Sequence, residues 1–272
     1  MAATGGGRST IAALLAHELA ASARTVVFDT APRLSSPWPA GSPASEAGGL
    51  AALSPGRPLT RSQVLAAAVV RRGNGSPWQL LTDTREWHAA PLTLPEPPAA
   101  WYQLAAIGGW QAVIADTTHP MTHDVLAARC GGRQGQTRGW CELPYAVPVL
   151  CAAATASGVQ ALQQAVMALH AEGMPLQRSV VVLVAASDGR PPPVVRAAAA
   201  MVAPRVSAVV HLPFDSQIRA HGLREPLRMR SKTQQAAARI AAAVLDTAHQ
   251  TWGTPLAAAP IPVPLPPVAS AS

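Results

Sequence analysis

The sequence TGGGRST, residues 4–10, leads directly into the Ala- and Leu-rich stretch IAALLAHELAASA, residues 11–23. A glycine-rich turn that opens a helix brings backbone N–H groups to the positive end of the helix dipole, where phosphate groups bind. We therefore predict that the backbone of Gly5, Gly6 and Gly7 surrounds a phosphate.

The residues after the three glycines carry side chains suited to the same ligand. Arg8 stands where the lysine of a P-loop reaches the β- and γ-phosphates, and Ser9 stands where a P-loop hydroxyl binds Mg²⁺. Thr10 completes the predicted phosphate loop. Glycine-rich N-termini are common, so the prediction needs support from residues further along the chain.

Two short apolar runs further along the chain end in an aspartate. They are VVFDT, residues 26–30, and VIADT, residues 113–117. The carboxyl ends of parallel strands border the crevice in which α/β sheets bind ligands. There, Asp29 and Asp116 can hold Mg²⁺ or orient a water molecule, although each could also simply cap a turn. Two such residues, in this order after a glycine loop, favour a nucleotide site.

Short β-branched runs alternate with longer helical stretches over most of the chain, which indicates an α/β domain with a mostly parallel sheet covered on both faces. The predicted strands cover residues 25–28, 112–115, 147–151, 179–184 and 206–211. The predicted helices cover residues 9–23, 121–129, 158–172, 193–203 and 232–251.

The composition excludes several classes of protein. Hydrophobic residues make up 49% of the 272, enough for a substantial core, and 21 basic residues against 14 acidic ones give a net charge of +7. The three cysteines form no CxxC pair, which indicates a reducing, cytoplasmic environment rather than a disulfide scaffold. His17 and Glu18 interrupt the first apolar stretch, so we expect no export signal. No apolar run is long enough to predict a transmembrane helix.

Two proline-rich regions interrupt the α/β pattern. Residues 33–61 are rich in Pro, Gly, Ser and Ala, and predict a flexible excursion within a domain that covers residues 1–252. Residues 253–272 predict a disordered tail, because proline lacks the N–H group that a regular helix needs.

The segments GGGRST (5–10), VVFDTAP (26–32) and VIADTTHP (113–120) resemble the conserved boxes of the ParA/MinD group of deviant Walker-A ATPases, especially actinobacterial members. Residues 148–169, 179–190 and 209–245 resemble the later strands and helices of that group. The resemblance covers residues 4–250, and the order and spacing of the segments are its most specific feature.

This resemblance implies a three-layer P-loop fold that binds ATP and Mg²⁺ and forms a nucleotide-dependent homodimer. It also implies work with a protein partner of a partitioning, positioning or conjugation system, in the cytoplasm or on the nucleoid. By the same resemblance, Arg8 contacts the phosphates and Asp29 positions the attacking water. Ser9 and Asp116 hold the metal.

The departures from the family pattern bear on catalysis. Ala3 occupies the position of the signature lysine, Arg8 replaces the second lysine, and Ala186 or Ser187 replaces the asparagine that contacts adenine. The strand that should precede the loop is missing, so either the true start lies upstream, as we expect, or a core strand has been lost. The resemblance therefore predicts slow or absent hydrolysis, and the alternative is a non-catalytic pseudo-ATPase scaffold.

Two further groups of polar residues are weaker signals. A late basic cluster predicts either a nonspecific, salt-dependent DNA surface or a solvated helix face. Its members are Arg219, Arg224, Arg228, Arg230 and Lys232. A membrane contact is less supported, since no strongly basic amphipathic helix is present. The group His119, His123, Asp124 and Cys130 is better explained by loop and helix-start positions than by zinc. Residues 129–141 predict a solvated Gly/Arg loop, with a contact to nucleic acid or to a partner as the alternative.

Overall fold

The structure is a computed structural model that describes residues 6–39, 48–53, 56–72, 75–224 and 227–254. Its strands are β1 (Thr25–Asp29), β2 (Val69–Arg71), β3 (Trp78–Leu81), β4 (Ala112–Asp116), β5 (Val149–Ala153), β6 (Val180–Val184) and β7 (Ala208–Leu212). Its α-helices are α1 (Arg8–Leu19), α2 (Arg61–Ala67), α3 (Pro98–Gly108), α4 (Met121–Cys130), α5 (Gln136–Glu142), α6 (Ala156–Ala171), α7 (Pro193–Val202), α8 (Ser216–His221) and α9 (Ser231–Trp252).

The strands form two sheets, one in the order β2-β3-β1-β4 and one in the order β5-β6-β7. Every neighbouring pair is parallel except β2 and β3. The register of β1 and β4 places Asp29 directly opposite Asp116 at the carboxyl ends of the two strands. The sheet therefore brings together the two carboxylates that the sequence singled out.

Helices cover both faces of the sheets. On one face, α1 and α9 share an apolar cluster with residues of both sheets, among them Val27 of β1 and Val182 of β6. On the other face, α2 and α3 pack on the first sheet, and α4, α6 and α7 pack on the second. Since α1 contacts both sheets through one cluster, it packs across the two sheets on the same face.

The prediction of an α/β fold with mostly parallel strands is confirmed, and all five predicted strands and five predicted helices are present within a few residues. The sequence patterns missed α2, α3, α8, β2 and β3. The prediction of a solvated loop over residues 129–141 was wrong for its second half, which forms α5 and buries Thr137 and Cys141.

Among the described helices, none is both long and apolar enough to span a bilayer.

Parts of the two proline-rich regions lie outside the described residues. These parts are residues 40–47 and 54–55 of the predicted excursion and residues 255–272 of the predicted tail. The described remainder of the excursion contains two short 3₁₀ turns, Arg33–Ser35 and Leu50–Ala52, and the fully buried side chain of Trp38.

Candidate functional site

The glycine loop lies where the sequence predicted it, immediately before α1. Gly7 is the N-cap residue with a φ of 76°, a conformation that glycine adopts at little cost. A Cβ on Gly6 would lie 2.8 Å from the Cα of Ala152 in β5, so no larger residue fits there without a backbone shift. Gly5 and Ala3 lie outside the described residues.

The first turn of α1 has no side-chain cap, and its first intrahelical bond runs from the amide of Ile11 to the carbonyl of Gly7 at 3.0 Å. The amides of Arg8, Ser9 and Thr10 therefore have no partner within the helix. Unpaired amides at the positive end of a twelve-residue helix form a ready anion site.

Arg8 connects this loop to the end of β4. Its Nη1 donates a hydrogen bond to the carbonyl oxygen of Thr117, the residue after Asp116, at 2.6 Å. The Thr117 hydroxyl is buried and makes no hydrogen bond within the described part of the chain. Residues 6–8 thus lie near the carboxyl ends of β4 and β5, and Arg8 brings a positive charge to the residue that follows Asp116.

Asp29 is almost completely buried at the end of β1, and its carboxylate is held by the protein itself. Oδ2 accepts hydrogen bonds from Ser36 Oγ and Thr82 Oγ1, each at 2.6 Å, and Oδ1 accepts one from the Ala31 amide at 3.1 Å. Burial raises the pKa of Asp29 to about 6; the charge on Asp116 adds to the rise, and these hydrogen bonds oppose it.

Asp116 lies at the end of β4, with only 6% of its surface exposed. Its Oδ2 accepts a hydrogen bond from the indole N–H of Trp38 at 2.8 Å. Ser9, the other predicted metal residue, is half-buried in the first turn of α1. A carboxylate and a hydroxyl are oxygen ligands of the kind that Mg²⁺ prefers, so the donor set fits this ion.

A cleft of about 270 Å³ begins at Thr10 and runs along the carboxyl ends of β6 and β7. Ala185 and Ala186 follow β6 on one side of the cleft, and Pro213 and Phe214 follow β7 on the other. The cleft therefore continues from the glycine loop along the carboxyl edge of the second sheet. Most of its walls are apolar, which suits a flat, weakly polar group.

Of the polar residues near the start of α4, Asp124 and His119 have structural partners, and His123 is exposed. Asp124 accepts hydrogen bonds from the amides of Gln136 and Thr137 at 3.1 and 2.7 Å, which fixes the start of α5. His119 Nε2 lies 3.1 Å from the Thr137 hydroxyl, and burial lowers the pKa of His119 to about 4. Within the described residues, no group of His, Cys, Asp and Glu has the arrangement of a metal site.

The late basic residues divide into two kinds. Arg219, Arg224, Arg228 and Lys232 are exposed around α8 and the start of α9. Arg230 instead donates to Asp188 Oδ1 at 3.1 Å and to the carbonyl of Phe214. Its backbone amide also donates to Asp215 Oδ2 at 2.7 Å, so Arg230 helps to fix the loop between α8 and α9.

Solved structures resemble this chain over most of its length. A ParA family ATPase from Chlorobium tepidum matches with a TM-score of 0.58 and 14% identity, covering 89% of this chain and 96% of the other. The Pyrococcus furiosus cell division ATPase MinD matches with a TM-score of 0.50 and 16% identity, covering 88% and 93%. The fold is that of the ParA and MinD ATPases.

A third match is a plasmid partition protein from Borrelia burgdorferi bound to AMPPNP, with a TM-score of 0.51 and 9% identity, covering 91% of this chain and 94% of the other. No protein-family model matches the chain, and no curated protein resembles it significantly. At these identities the likeness to the ParA/MinD structures concerns the fold.

Sequence reasoning missed three side chains that surround the two carboxylates, namely Ser36, Trp38 and Thr82. Ser36 and Trp38 lie in the stretch SSPWPAGSP, residues 35–43, whose composition indicated a loop. The structure shows that Trp38 in this stretch is fully buried. Trp38 is a large apolar residue among small and turn-forming ones, which was the available signal. Thr82 directly follows β3, a strand of four residues that the pattern did not reveal.

Proposed function

We propose that this chain is a ParA/MinD-like ATP-binding protein of a partitioning or positioning system. The observation that carries the proposal is the glycine loop at the uncapped start of α1. A cleft begins beside it at Thr10, and Arg8 bonds to the carbonyl of Thr117, the residue after Asp116. In this arrangement the amides of Gly5 to Thr10 and the Arg8 guanidinium bind the phosphates. Ser9 and Asp116 hold Mg²⁺, directly or through water, and the bound ion neutralises phosphate charge.

The adenine base is proposed to lie in the cleft beyond Thr10. The walls formed by Ala186 and Phe214 offer apolar contact, while no side-chain amide stands at Ala186 or Ser187 to read the edge of the base. We therefore expect nucleotide binding with little discrimination between bases, because the side chains at these two positions offer no amide to the edge of the base. The AMPPNP complex of the Borrelia plasmid partition protein, which shares the fold, supports a nucleotide ligand.

Hydrolysis is proposed to be very slow or absent. Phosphoryl transfer depends on positive charge that covers the γ-phosphate. Ala3 provides none, and the hydrogen bond from Arg8 Nη1 to the Thr117 carbonyl limits how far the guanidinium can move with the γ-phosphate. Asp29 is proposed to position the attacking water, but its oxygens accept hydrogen bonds from Ser36, Thr82 and Ala31, so it must first exchange a partner.

In the proposed role the chain is cytoplasmic, forms a homodimer when nucleotide binds, and works with a protein partner of a partitioning or conjugation system. Nonspecific DNA binding by the exposed basic residues would place it on the nucleoid. The second candidate function is a pseudo-ATPase scaffold, which keeps the fold for protein interaction. Arg8 favours this second candidate, because its hydrogen bond to the Thr117 carbonyl restricts its movement toward a bound phosphate.

Calorimetric titration of ATP, with and without Mg²⁺, and a phosphate-release assay test both candidates. We expect Mg²⁺-dependent binding and almost no turnover. Asp116→Ala should remove the Mg²⁺ dependence of binding, whereas Asp29→Asn should leave binding nearly unchanged and abolish any residual turnover. Brisk turnover by the wild type contradicts the proposed slow hydrolysis. A folded chain that binds no nucleotide favours the scaffold.

A further inference from the structure

Residues 33–38, directly after β1, turn back over the carboxyl ends of β1 and β4. The entrance to this turn is fixed by Arg33, whose side chain is 8% exposed. Arg33 forms an ion pair with Asp83 at 2.9 Å and donates to the carbonyls of Trp87 and Ala89. The turn is therefore anchored to the segment that follows β3, through one side chain and two backbone carbonyls.

The same turn contacts both candidate carboxylates. Ser36 Oγ donates to Asp29 Oδ2 at 2.6 Å and accepts the backbone amide of Trp38 at 3.1 Å. The indole N–H of Trp38 then donates to Asp116 Oδ2 at 2.8 Å. A continuous set of hydrogen bonds thus runs from Asp29 through Ser36 and Trp38 to Asp116.

The contact between Trp38 and Asp116 is completely enclosed. Trp38 has no exposed surface, and its ring meets that of Trp78 edge to face, with centroids 6.0 Å apart. The indole nitrogen can only donate, and its hydrogen bond to Oδ2 restricts rotation of the Asp116 carboxylate. Within the described part of the chain, Oδ1 of Asp116 accepts no hydrogen bond.

From this geometry we infer that Trp38 is a positioning residue for the metal-binding carboxylate. By holding Oδ2, the indole fixes the orientation of Asp116 and leaves Oδ1 for Mg²⁺ or its water shell. Groups that hydrogen-bond a metal-binding carboxylate orient it and tune its affinity. This inference rests on the proposed function, since it assumes that Asp116 serves a metal.

Trp38→Phe is the direct test, and Trp78→Phe is its matched control. Both changes remove the pyrrole part of a buried indole from the same ring pair. Only Trp38 donates to Asp116, since the indole nitrogen of Trp78 makes no hydrogen bond within the described residues. The measured quantity is the ratio of ATP affinity with Mg²⁺ to ATP affinity in EDTA, by calorimetry.

We expect Trp38→Phe to lower this ratio by about tenfold, the lower end of the range for losing such a partner. Affinity in EDTA should stay within about twofold of wild type. Trp78→Phe should leave the ratio unchanged even if it lowers the midpoint of urea unfolding as much. An equal loss of the ratio in both variants would mean a packing effect and overturn the inference.

A higher ratio in Trp38→Phe also overturns it, because the indole would then compete with the metal for Asp116. If Trp38→Phe does not fold, Ser36→Ala decides: it removes the acceptor of the Trp38 amide without opening a large cavity. A reduced ratio supports positioning and an unchanged ratio contradicts it. If the wild-type chain binds ATP no better with Mg²⁺ than in EDTA, both this inference and the proposed metal site are overturned. If the wild type binds better with Mg²⁺ and Trp38→Phe shows the same ratio, the inference alone is overturned.

Discussion

At the scale of single residues, the candidate site shows how burial changes the chemistry of one aspartate. Asp29 follows three buried apolar residues of β1, and its carboxylate sits among hydroxyl donors rather than in water. Removing a carboxylate from water disfavours its charged form. The folded chain therefore holds the proton on Asp29 more tightly than the unfolded chain does.

This proton makes stability depend on pH in a predictable direction. The pKa of Asp29 is about 6 in the folded chain, while an exposed Asp titrates at about 3.9. The folded state then binds more protons than the unfolded state between these values. Stability from this group is therefore present below about pH 4 and is lost as the pH rises through about 6.

Asp29→Asn should remove this dependence, because an amide cannot ionise. Between pH 4 and pH 7, we expect the free energy of unfolding of the variant to rise relative to wild type by about 1–3 kcal/mol. Urea unfolding at several pH values measures the difference. Asp246→Asn, at an exposed position of α9, controls for the loss of one charge. A difference that stays constant over this range would contradict the raised pKa of Asp29.

Gly6 gives a second prediction at the same scale. A Cβ there would meet the Cα of Ala152 at 2.8 Å and push the loop away from β5. We expect Gly6→Ala to lower the free energy of unfolding by about 1–3 kcal/mol, typical of overpacking, and to weaken nucleotide binding. Gly75→Ala is the control, since a Cβ at Gly75 meets nothing within 4 Å. Equal stability of the two variants would show that the loop does not press on β5.

At the scale of elements, the start of α9 combines two uses of basic residues. Arg230 is bound to Asp188 and to the Phe214 carbonyl and shapes the preceding loop. Arg228 and Lys232 lie on either side of it and are exposed. A substitution at Arg230 would therefore mix a structural effect with any loss of DNA binding, which makes Arg228 and Lys232 the informative pair.

If these two residues contact phosphates, replacing both with Ala should weaken duplex DNA binding about equally for all sequences. The slope of log affinity against log salt should fall by about 2, close to one unit for each lost phosphate contact. Fluorescence anisotropy at several salt concentrations measures both effects. Arg196→Ala with Arg205→Ala is the matched control, because these residues are exposed at α7 and just beyond it, on the opposite layer. If the salt slope of the Arg228 and Lys232 variant is unchanged, these residues do not contact DNA and form a solvated helix face.

At the scale of the whole molecule, the chain divides its strands between two sheets that share a helix layer. β4 pairs with β1 and β5 pairs with β6, and neither has a partner on its other side among the described strands. Gly6 lies against β5, and Arg8 bonds to the residue after β4, so residues 6–8 contact both of these strands or their ends.

Hydrogen exchange measures whether these edges are covered. In the 272-residue chain, we expect the outward amides of β4 and β5 to exchange faster than those of β1 and β6, which have strand partners on both sides. The β2 edge serves as the reference for an edge strand. Equal protection of β4 and β1 would mean that another segment already pairs with the β4 edge.

The sequence by itself determined the local features of this protein. The glycine loop, the start of α1 and the five main strands follow from residue type and periodicity, because backbone freedom at glycine and the burial of β-branched runs are local properties. The two aspartates were also visible, since each ends an apolar run. Short elements such as β2 and β3 were not, because three or four residues carry too little pattern to distinguish them from a loop.

Only the tertiary structure decided what surrounds those aspartates. The pairing of β1 with β4 sets Asp29 opposite Asp116, and the turn at residues 33–38 brings Ser36 and Trp38 onto them from a stretch whose composition indicates a loop. The raised pKa of Asp29 and the engagement of Arg8 by the Thr117 carbonyl arise in the same way. These contacts join residues 7 to 109 positions apart. Their energies depend on burial and geometry, which a chain acquires only when its sheet and helices have packed.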